Sequence, residues 1–170
     1  MCSSDLTKLD VTQTFPGDIA SVWALQVDPA YLVFRAERAG ATSASADIAP
    51  AADGGVVITV TRVLPADVPS FAKSMVGETI TITEHYTWAP PAADGSRTGT
   101  MTAESSAPIA VNARLALTPQ GGETVLTTTG EIKSSIPFVG GKVEDLAKQQ
   151  TERYLHKEQK LAAAWLAGER

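Results

Sequence analysis

The sequence contains few of the residues from which metal sites, disulfides and common hydrolytic sites are built. Its 170 residues include one cysteine, Cys2, so neither a disulfide nor a cysteine metal site forms within the chain. The two histidines, His85 and His156, have no metal-binding spacing. Neither G-x-S-x-G nor G-x-G-x-x-G occurs, and the Gly140-Gly141-Lys142 run lacks the upstream glycine and the following Ser or Thr of a phosphate loop. We therefore expect no metal, no cofactor and no self-contained hydrolase or nucleotide chemistry.

The charge and the lengths of the apolar runs limit the partners. The formal net charge is -5, and an acidic chain without a basic patch argues against nucleic acid as a partner. No apolar run approaches the roughly 20 residues that span a bilayer, so no integral membrane segment is predicted. Hydrophobic residues make up 44% of the chain, enough for a globular core. A cytoplasmic protein is the expectation.

The first residues do not share the pattern of the rest. Residues 1–6, with the sequence MCSSDL, resemble the translation of a sequencing adapter. We therefore expect residues 1–8 to be artefactual or disordered, and residues 9–168 to form a single domain. A lipoprotein cysteine at Cys2 is the alternative, but no apolar segment precedes it.

The pattern of apolar residues predicts a strand, two short helices, six further strands and a long C-terminal helix. Residues 9–15 alternate as a half-buried strand does, and Asp18 and Asp28 stand where helix caps belong. Five of the later strands are predicted at 56–64, 78–88, 97–106, 110–118 and 123–134. Residues 142–167 have helical spacing without proline or glycine, and their charges are expected to face solvent. To bury both apolar faces, a seven-stranded antiparallel sheet must curve around this helix, which is an α+β fold.

Tight hairpins would fix which residues line the inner face of that sheet. They place Glu84 opposite Ala103, Ala103 opposite Ala113, and Ala113 opposite Thr128. In the next row of pairs, Tyr86 is opposite Met101, Met101 is opposite Leu115, and Leu115 is opposite Leu126. The middle of this face carries small residues, namely Ala103, Ser105, Ala113, Thr128 and Gly130. Two interpretations stay open: the long helix fills the space through Leu146, Tyr154 and Leu161, or the space is a cavity for an apolar ligand.

Two charged residues share the parity of the apolar face. Arg62 follows Val60, and Glu84 follows Ile82. Because an unpaired buried charge is very costly, each must reach water, find a partner or meet a ligand. The simplest register puts Glu84 opposite Ile58, roughly 13 Å along the strand from Arg62, so a direct ion pair is not the expectation.

Several short segments also resemble a known superfamily. They are Val22-Trp23, Asp28-Pro29-Ala30-Tyr31-Leu32, the run RVLPADVPSF at 62–71, Trp88, and the run IPFVGGKVE at 136–144. Together with the order of elements, from about Leu9 to Leu166, they resemble the START and birch-pollen-allergen-like (SRPBCC, polyketide cyclase-like) superfamily. Within it the chain is most similar to an uncharacterised bacterial family. The resemblance implies a helix-grip fold with a deep apolar cavity, entered near the segment from Pro65 to Gly77, and carries over no catalytic residue.

In that superfamily such cavities hold lipids, polyketides, sterols or hormones, so we expect this chain to bind or carry a hydrophobic small molecule. Arg62 or Glu84 would orient a polar head, and the Phe71 segment would act as a lid. The expected ligand-binding residues are Arg62, Phe71, Met75, Glu84, Tyr86, Met101, Ala113, Leu115, Thr128 and Tyr154.

Two alternatives stay open. One is an enzyme of the cyclase, aromatase or dehydratase type, in which Glu84 or Tyr86 acts as acid or base and burial raises the carboxyl pKa. The other is a protein-interaction module with a vestigial cavity, which would contact its partner through Val68, Phe71 and Met75.

Overall fold

A computed structural model describes residues 7–136 and 139–169, apart from the side chain of Met75. The elements are β1 (Thr7–Phe15), α1 (Ile19–Gln26), α2 (Pro29–Arg38), β2 (Ser43–Pro50), β3 (Val56–Pro65), α3 (Ser70–Val76), β4 (Thr79–Trp88), β5 (Arg97–Ser105), β6 (Ile109–Gln120), β7 (Glu123–Ser134) and α4 (Gly140–Leu166). The strands form one antiparallel sheet in the order β1-β7-β6-β5-β4-β3-β2. The predicted helix-grip fold, with two short helices after the first strand, is confirmed.

The ends of the elements follow local chemistry. Asp18 and Asp28 cap α1 and α2, and their carboxylates accept hydrogen bonds from the backbone N–H of Ser21 and of Ala30 at 2.8 and 2.9 Å. Pro29 occupies the start of α2, where its missing N–H is not needed. β1 begins at Thr7, and residues 1–6 lie outside the described residues.

The core lies between the concave face of the sheet and the helices α1, α2 and α4. The fully buried side chains from the strands include Leu9, Phe15, Ile58, Val60, Leu117 and Ile132. The end of α4 is held by aromatic packing, since the Trp165 ring lies 5.5 Å from Tyr31 and 5.0 Å from Phe34, centroid to centroid. The 27-residue helix α4 therefore runs along β1 and β7 and ends against α2.

The pairing of strands agrees with the prediction in one hairpin and differs by two residues in the next two. Glu84 pairs with Ala103 as expected, but Ala103 pairs with Val111 and Ala113 with Gly130. The β6–β7 turn contains only two residues, glycines 121 and 122, with φ of 58° and 87°. Two residues with positive φ form the tight turn that suits a twisted hairpin, so β6 continues to Gln120. A shift of two residues leaves every side chain on its predicted face.

The predicted register between β3 and β4 is also wrong by two residues. Glu84 pairs with Val60 and Arg62 with Ile82, so Arg62 and Glu84 are diagonal neighbours. A Cβ atom on Gly55 would lie 2.1 Å from the carbonyl oxygen of Trp88. Glycine thus permits the close approach that sets where β3 starts against the end of β4. Diagonal neighbours are within reach of long side chains, and the two charges therefore meet.

Candidate functional site

Four charged side chains meet in the interior, where α2, β3, β4 and α4 come together. The exposed fractions are 2% for Arg35, 9% for Arg62, 3% for Glu84 and 3% for Glu158. Two cations and two anions leave the cluster without net charge. Such a cluster is tolerated inside a protein because each charge has a partner.

Glu84 lies at the centre of the cluster. Arg62 Nε donates a hydrogen bond to Glu84 Oε1 at 2.7 Å, and the Tyr86 hydroxyl donates to Oε2 at 2.6 Å. Arg35 Nη2 lies 3.5 Å from the same Oε2 and donates to the Tyr86 hydroxyl at 3.1 Å. Both carboxylate oxygens of Glu84 are therefore engaged by the protein's own donors.

Arg35 and Glu158 complete the cluster, and sequence reasoning placed neither of them there. Arg35 Nη1 donates to Glu158 Oε1 at 2.9 Å, which joins α2 to α4. Arg35 follows Tyr31 by four residues on the buried face of α2, and Glu158 follows Tyr154 by four on α4. The four-residue spacing of a helix therefore indicated that Arg35 and Glu158 lie on the inward faces of their helices.

The expectation that the charges of α4 face solvent is wrong at two positions, Glu158 and Glu144. Glu144 is buried near the start of α4, where its carboxylate accepts a hydrogen bond from the Ser134 N–H at 2.8 Å. Its other oxygen accepts from the Thr7 hydroxyl at 3.0 Å. The carboxylate of Glu144 therefore binds the backbone at the end of β7 and does not face water.

The surroundings shift the pKa values of the two carboxylates of the cluster in opposite directions. Burial alone would raise the pKa of Glu84, but Arg62, Arg35 and the Tyr86 hydrogen bond outweigh it and hold the pKa below its usual range. Burial raises the pKa of Glu158, because Arg35 offsets it only in part and the charge of Glu84 adds to the rise. The expectation of a raised pKa at Glu84, on which its role as acid or base depended, is wrong.

Tyr154 covers the cluster from the side of α4. Its ring centroid lies 4.1 Å from Arg62 Cζ, the arrangement of a cation–π contact. Burial raises the pKa of Tyr154 to about 12, so the hydroxyl keeps its proton at neutral pH. Among the described residues this buried hydroxyl has no hydrogen-bond partner.

A cavity of about 180 Å³ begins at this cluster and extends between the sheet and the first half of α4. Arg62, Glu84, Tyr86 and Tyr154 form its polar end. Most of its wall is apolar and comes from α3, β4, β5, β6 and α4. The apolar lining residues are Val68, Ala72, Val76, Ile80, Ile82, Met101, Ala103, Ala107, Ile109, Val111, Val143, Leu146, Ala147 and Leu155.

A groove of about 420 Å³ adjoins the cavity and reaches the protein surface. It lies between α4 and the segment that follows β3. Arg62 and Tyr154 line both spaces, so they stand at the boundary between them. The exposed side chains of Arg153 and Lys157 line the outer part of the groove.

The structure brings half of the expected ligand-binding residues to the cavity. Those that line it are Arg62, Glu84, Tyr86, Met101 and Tyr154. Ala113 is packed in the core, while Leu115 and Thr128 line a separate void of about 20 Å³. These three do not line the cavity, because the two-residue register shift puts Val111, rather than Ala113, beside Ala103.

The segment expected to act as a lid lines the cavity, but with other residues than the expected Phe71 and Met75. Phe71 is 42% exposed, because α3 turns Ala72 and Val76 toward the cavity instead. The side chain of Met75 lies outside the described residues. Of the three side chains expected to fill the interior, Leu146 and Tyr154 border the cavity rather than occlude it.

The described ranges contain neither a cluster of metal ligands nor a helix suited to crossing a membrane. Within residues 7–136 and 139–169, no three His, Cys, Asp or Glu side chains come together as metal ligands. None of the described helices combines the length and the apolar character that crossing a membrane requires.

Comparisons with known proteins agree with the fold. The model of the family described as "Protein of unknown function (DUF2505)" matches residues 10–166. A START superfamily protein from Mycobacterium smegmatis has a TM-score of 0.60 at 13% identity, with 94% of this chain and 98% of that chain covered. No curated protein matches the sequence.

Two further solved structures carry functional descriptions. A STAR-related lipid transfer protein from Xanthomonas axonopodis has a TM-score of 0.56 at 16% identity, covering 93% of this chain and 84% of that chain. The Zhui aromatase/cyclase from Streptomyces sp. R1128 has a TM-score of 0.53 at 15% identity, covering 96% and 93%. At such identities the likeness shows that the fold is START-like.

Proposed function

Because the chain belongs to the family described as protein of unknown function (DUF2505), whose members have no assigned activity to transfer, we propose from the site itself that it binds a hydrophobic small molecule between its sheet and α4. The observation that carries the proposal is the apolar cavity of about 180 Å³. In another protein, an engineered apolar cavity of about 150 Å³ stays dry and binds benzene. A space of this size and lining therefore suits an apolar body somewhat larger than one aromatic ring.

The fold and the chemistry of Glu84 support binding or carriage over catalysis. One structural neighbour is named a lipid transfer protein and another an aromatase/cyclase, so the fold accommodates both kinds of function. In this chain both oxygens of Glu84 accept hydrogen bonds, and its pKa is held low by Arg62 and Arg35 against the effect of burial. A carboxylate in that state is a poor general acid at neutral pH.

The interaction-module alternative has less support. Phe71 is the one exposed large hydrophobic side chain among the described residues, and a single such residue is ordinary on a protein surface. A cytoplasmic location stays a prediction from the sequence.

Calorimetric titration with 1-octanol tests the proposal, because octanol is neutral and its chain suits the cavity. We expect saturable binding to the wild-type protein. Ala103→Leu should weaken it about tenfold or more, because Ala103 lines the cavity and three added carbon atoms would occupy it.

The matched control is Ala110→Leu, the same change on the neighbouring strand. Ala110 pairs with Glu104 on the opposite face of the sheet, and we expect its variant to bind octanol as the wild type does. Native mass spectrometry of the purified protein would add the mass of any ligand carried from the cell. Absence of saturable octanol binding, or equal binding by the two leucine variants, would refute the proposal.

A further inference from the structure

At the charged end of the cavity some hydrogen-bond donors have no partner, whereas both oxygens of the carboxylate already accept hydrogen bonds. Both oxygens of Glu84 already accept hydrogen bonds from Arg62 and Tyr86. Arg62 donates only through Nε, and its terminal Nη1 and Nη2 groups have no acceptor in the part of the chain that the structure describes. The neighbouring Tyr154 hydroxyl is unpartnered among the same residues. Because the free groups of Arg62 can only donate, a ligand group that accepts hydrogen bonds suits this end.

The groove outside this end carries an excess of positive charge. Arg153 and Lys157 line it beside Arg62, whose charge Glu84 balances, and the one carboxylate of its lining is Asp67. Arg153 and Lys157 lie one helical turn apart on α4, and no described carboxylate is within ion-pair distance of either. The chain as a whole has a net charge of -5, so this is a local reversal of sign. Such a field attracts anions to the opening of the cavity.

We propose that the ligand is an amphipath with an anionic head, bound with its apolar body in the cavity and its head on the Nη groups of Arg62. Two parallel N–H donors of a guanidinium match two oxygens of a carboxylate or a phosphate. Arg153 and Lys157 add long-range attraction along the groove. This inference rests on the proposed function, and it adds the chemical class of the ligand.

Three probes with the same eight-carbon chain separate the head from the tail: 1-octanol, octanoate and octyl phosphate. At a pH of about 7.5 both acids are ionised. We expect octanoate, octyl phosphate or both to bind at least tenfold more tightly than octanol. Whichever acid binds more tightly identifies a carboxylate or a phosphate as the preferred head. We expect this preference to shrink when salt rises from about 50 mM to about 500 mM, because the groove charges are exposed and screened.

Two kinds of variant test the named residues. Arg62→Met combined with Glu84→Gln removes one charge of each sign, keeps the cluster neutral, and should reduce the preference for the acids to the severalfold attraction that Arg153 and Lys157 supply at low salt. Lys157→Gln with Arg153→Gln changes only exposed side chains, so folding is not at issue, and should weaken octanoate severalfold at low salt. Lys160→Gln is the control, since Lys160 is exposed on the same helix and lines neither space.

The outcomes distinguish this inference from the proposed function. If octanol binds as tightly as both acids, or the Arg62 double variant keeps the full preference, the anionic head is refuted while the apolar cavity stands. If the groove variant and the Lys160 control lose equal affinity, the role of the groove is refuted. If octanol does not bind saturably, the proposed function fails and the inference fails with it.

Discussion

Replacing Arg35 by methionine would test whether the buried cluster is held together by paired charges. Glu158 is 3% exposed, and Arg35 is its one hydrogen-bond partner among the described residues. Without Arg35 the carboxylate of Glu158 would be buried and unpaired, and removing one partner of a buried ion pair costs about 3–5 kcal/mol. Because the stability of a domain is about 5–15 kcal/mol, the loss would be a large fraction of the total.

The matched experiment removes both partners. Arg35→Met with Glu158→Leu leaves no unpaired charge at this position and keeps the volume apolar, so we expect its stability to return to within about 1–2 kcal/mol of the wild type. Equilibrium unfolding in urea measures all four proteins of the double-mutant cycle. With a slope of about 2 kcal/mol per molar, Arg35→Met should lower the midpoint by about 1.5–2.5 M.

Two results would contradict this reasoning. A loss of less than about 1 kcal/mol for Arg35→Met would mean that Glu158 reaches water or a proton more easily than its burial indicates. A double variant no more stable than the less stable single variant would mean that packing, and not charge pairing, dominates at this position.

Three further predictions concern pH and backbone contact. Stability should fall as pH drops below about 4.5, because the lowered pKa keeps folded Glu84 ionised while the unfolded chain takes up the proton. Stability should also fall as pH rises from about 4.5 through the raised pKa of folded Glu158, and Glu158→Gln should remove this second change in urea unfolding measured against pH. Gly55→Ala should cost about 1–3 kcal/mol in thermal unfolding, because its Cβ would meet the Trp88 carbonyl. Gly141→Ala, where a Cβ meets nothing, should be neutral or stabilising, and equal losses in the two variants would refute the steric argument.

The parts of the fold that depend on local sequence were predictable. Asp18 and Asp28 mark helix starts through hydrogen bonds to residues two or three positions away, and the alternation of Leu9, Val11 and Phe15 records a half-buried strand. The side of each strand that faces the core follows from the same period of two.

The register between strands was harder to predict from the sequence, because in a hairpin it depends on where the turn is centred. The glycines at 121 and 122 form a two-residue turn rather than part of a four-residue one, and that difference moves every pair on β6 and β7 by two positions. The pairing of Arg62 with Glu84 was missed because the register between β3 and β4, which the segment containing α3 connects, also differs by two residues from the prediction.

The ion cluster depends on contacts between elements that are distant along the chain. Arg35 and Glu158 are 123 residues apart, and no short-range pattern states that α2 and α4 meet. Each residue could have been placed on the buried face of its own helix, but the pairing required the packed structure. The boundaries of the cavity could not be predicted either, because they depend on which side chains leave space unfilled.

The order of the charges along the chain has a consequence for synthesis. Arg35, Arg62 and Glu84 emerge from the ribosome before α4, and together they carry one positive charge more than they can neutralise. Glu158, on α4, supplies the missing negative charge later in synthesis. A nascent chain that packed its curved sheet against α2 before α4 emerged would bury an uncompensated guanidinium, which is strongly unfavourable. Charge balance thus favours compaction of this domain only once α4 has emerged, and it disfavours premature collapse of the growing polypeptide.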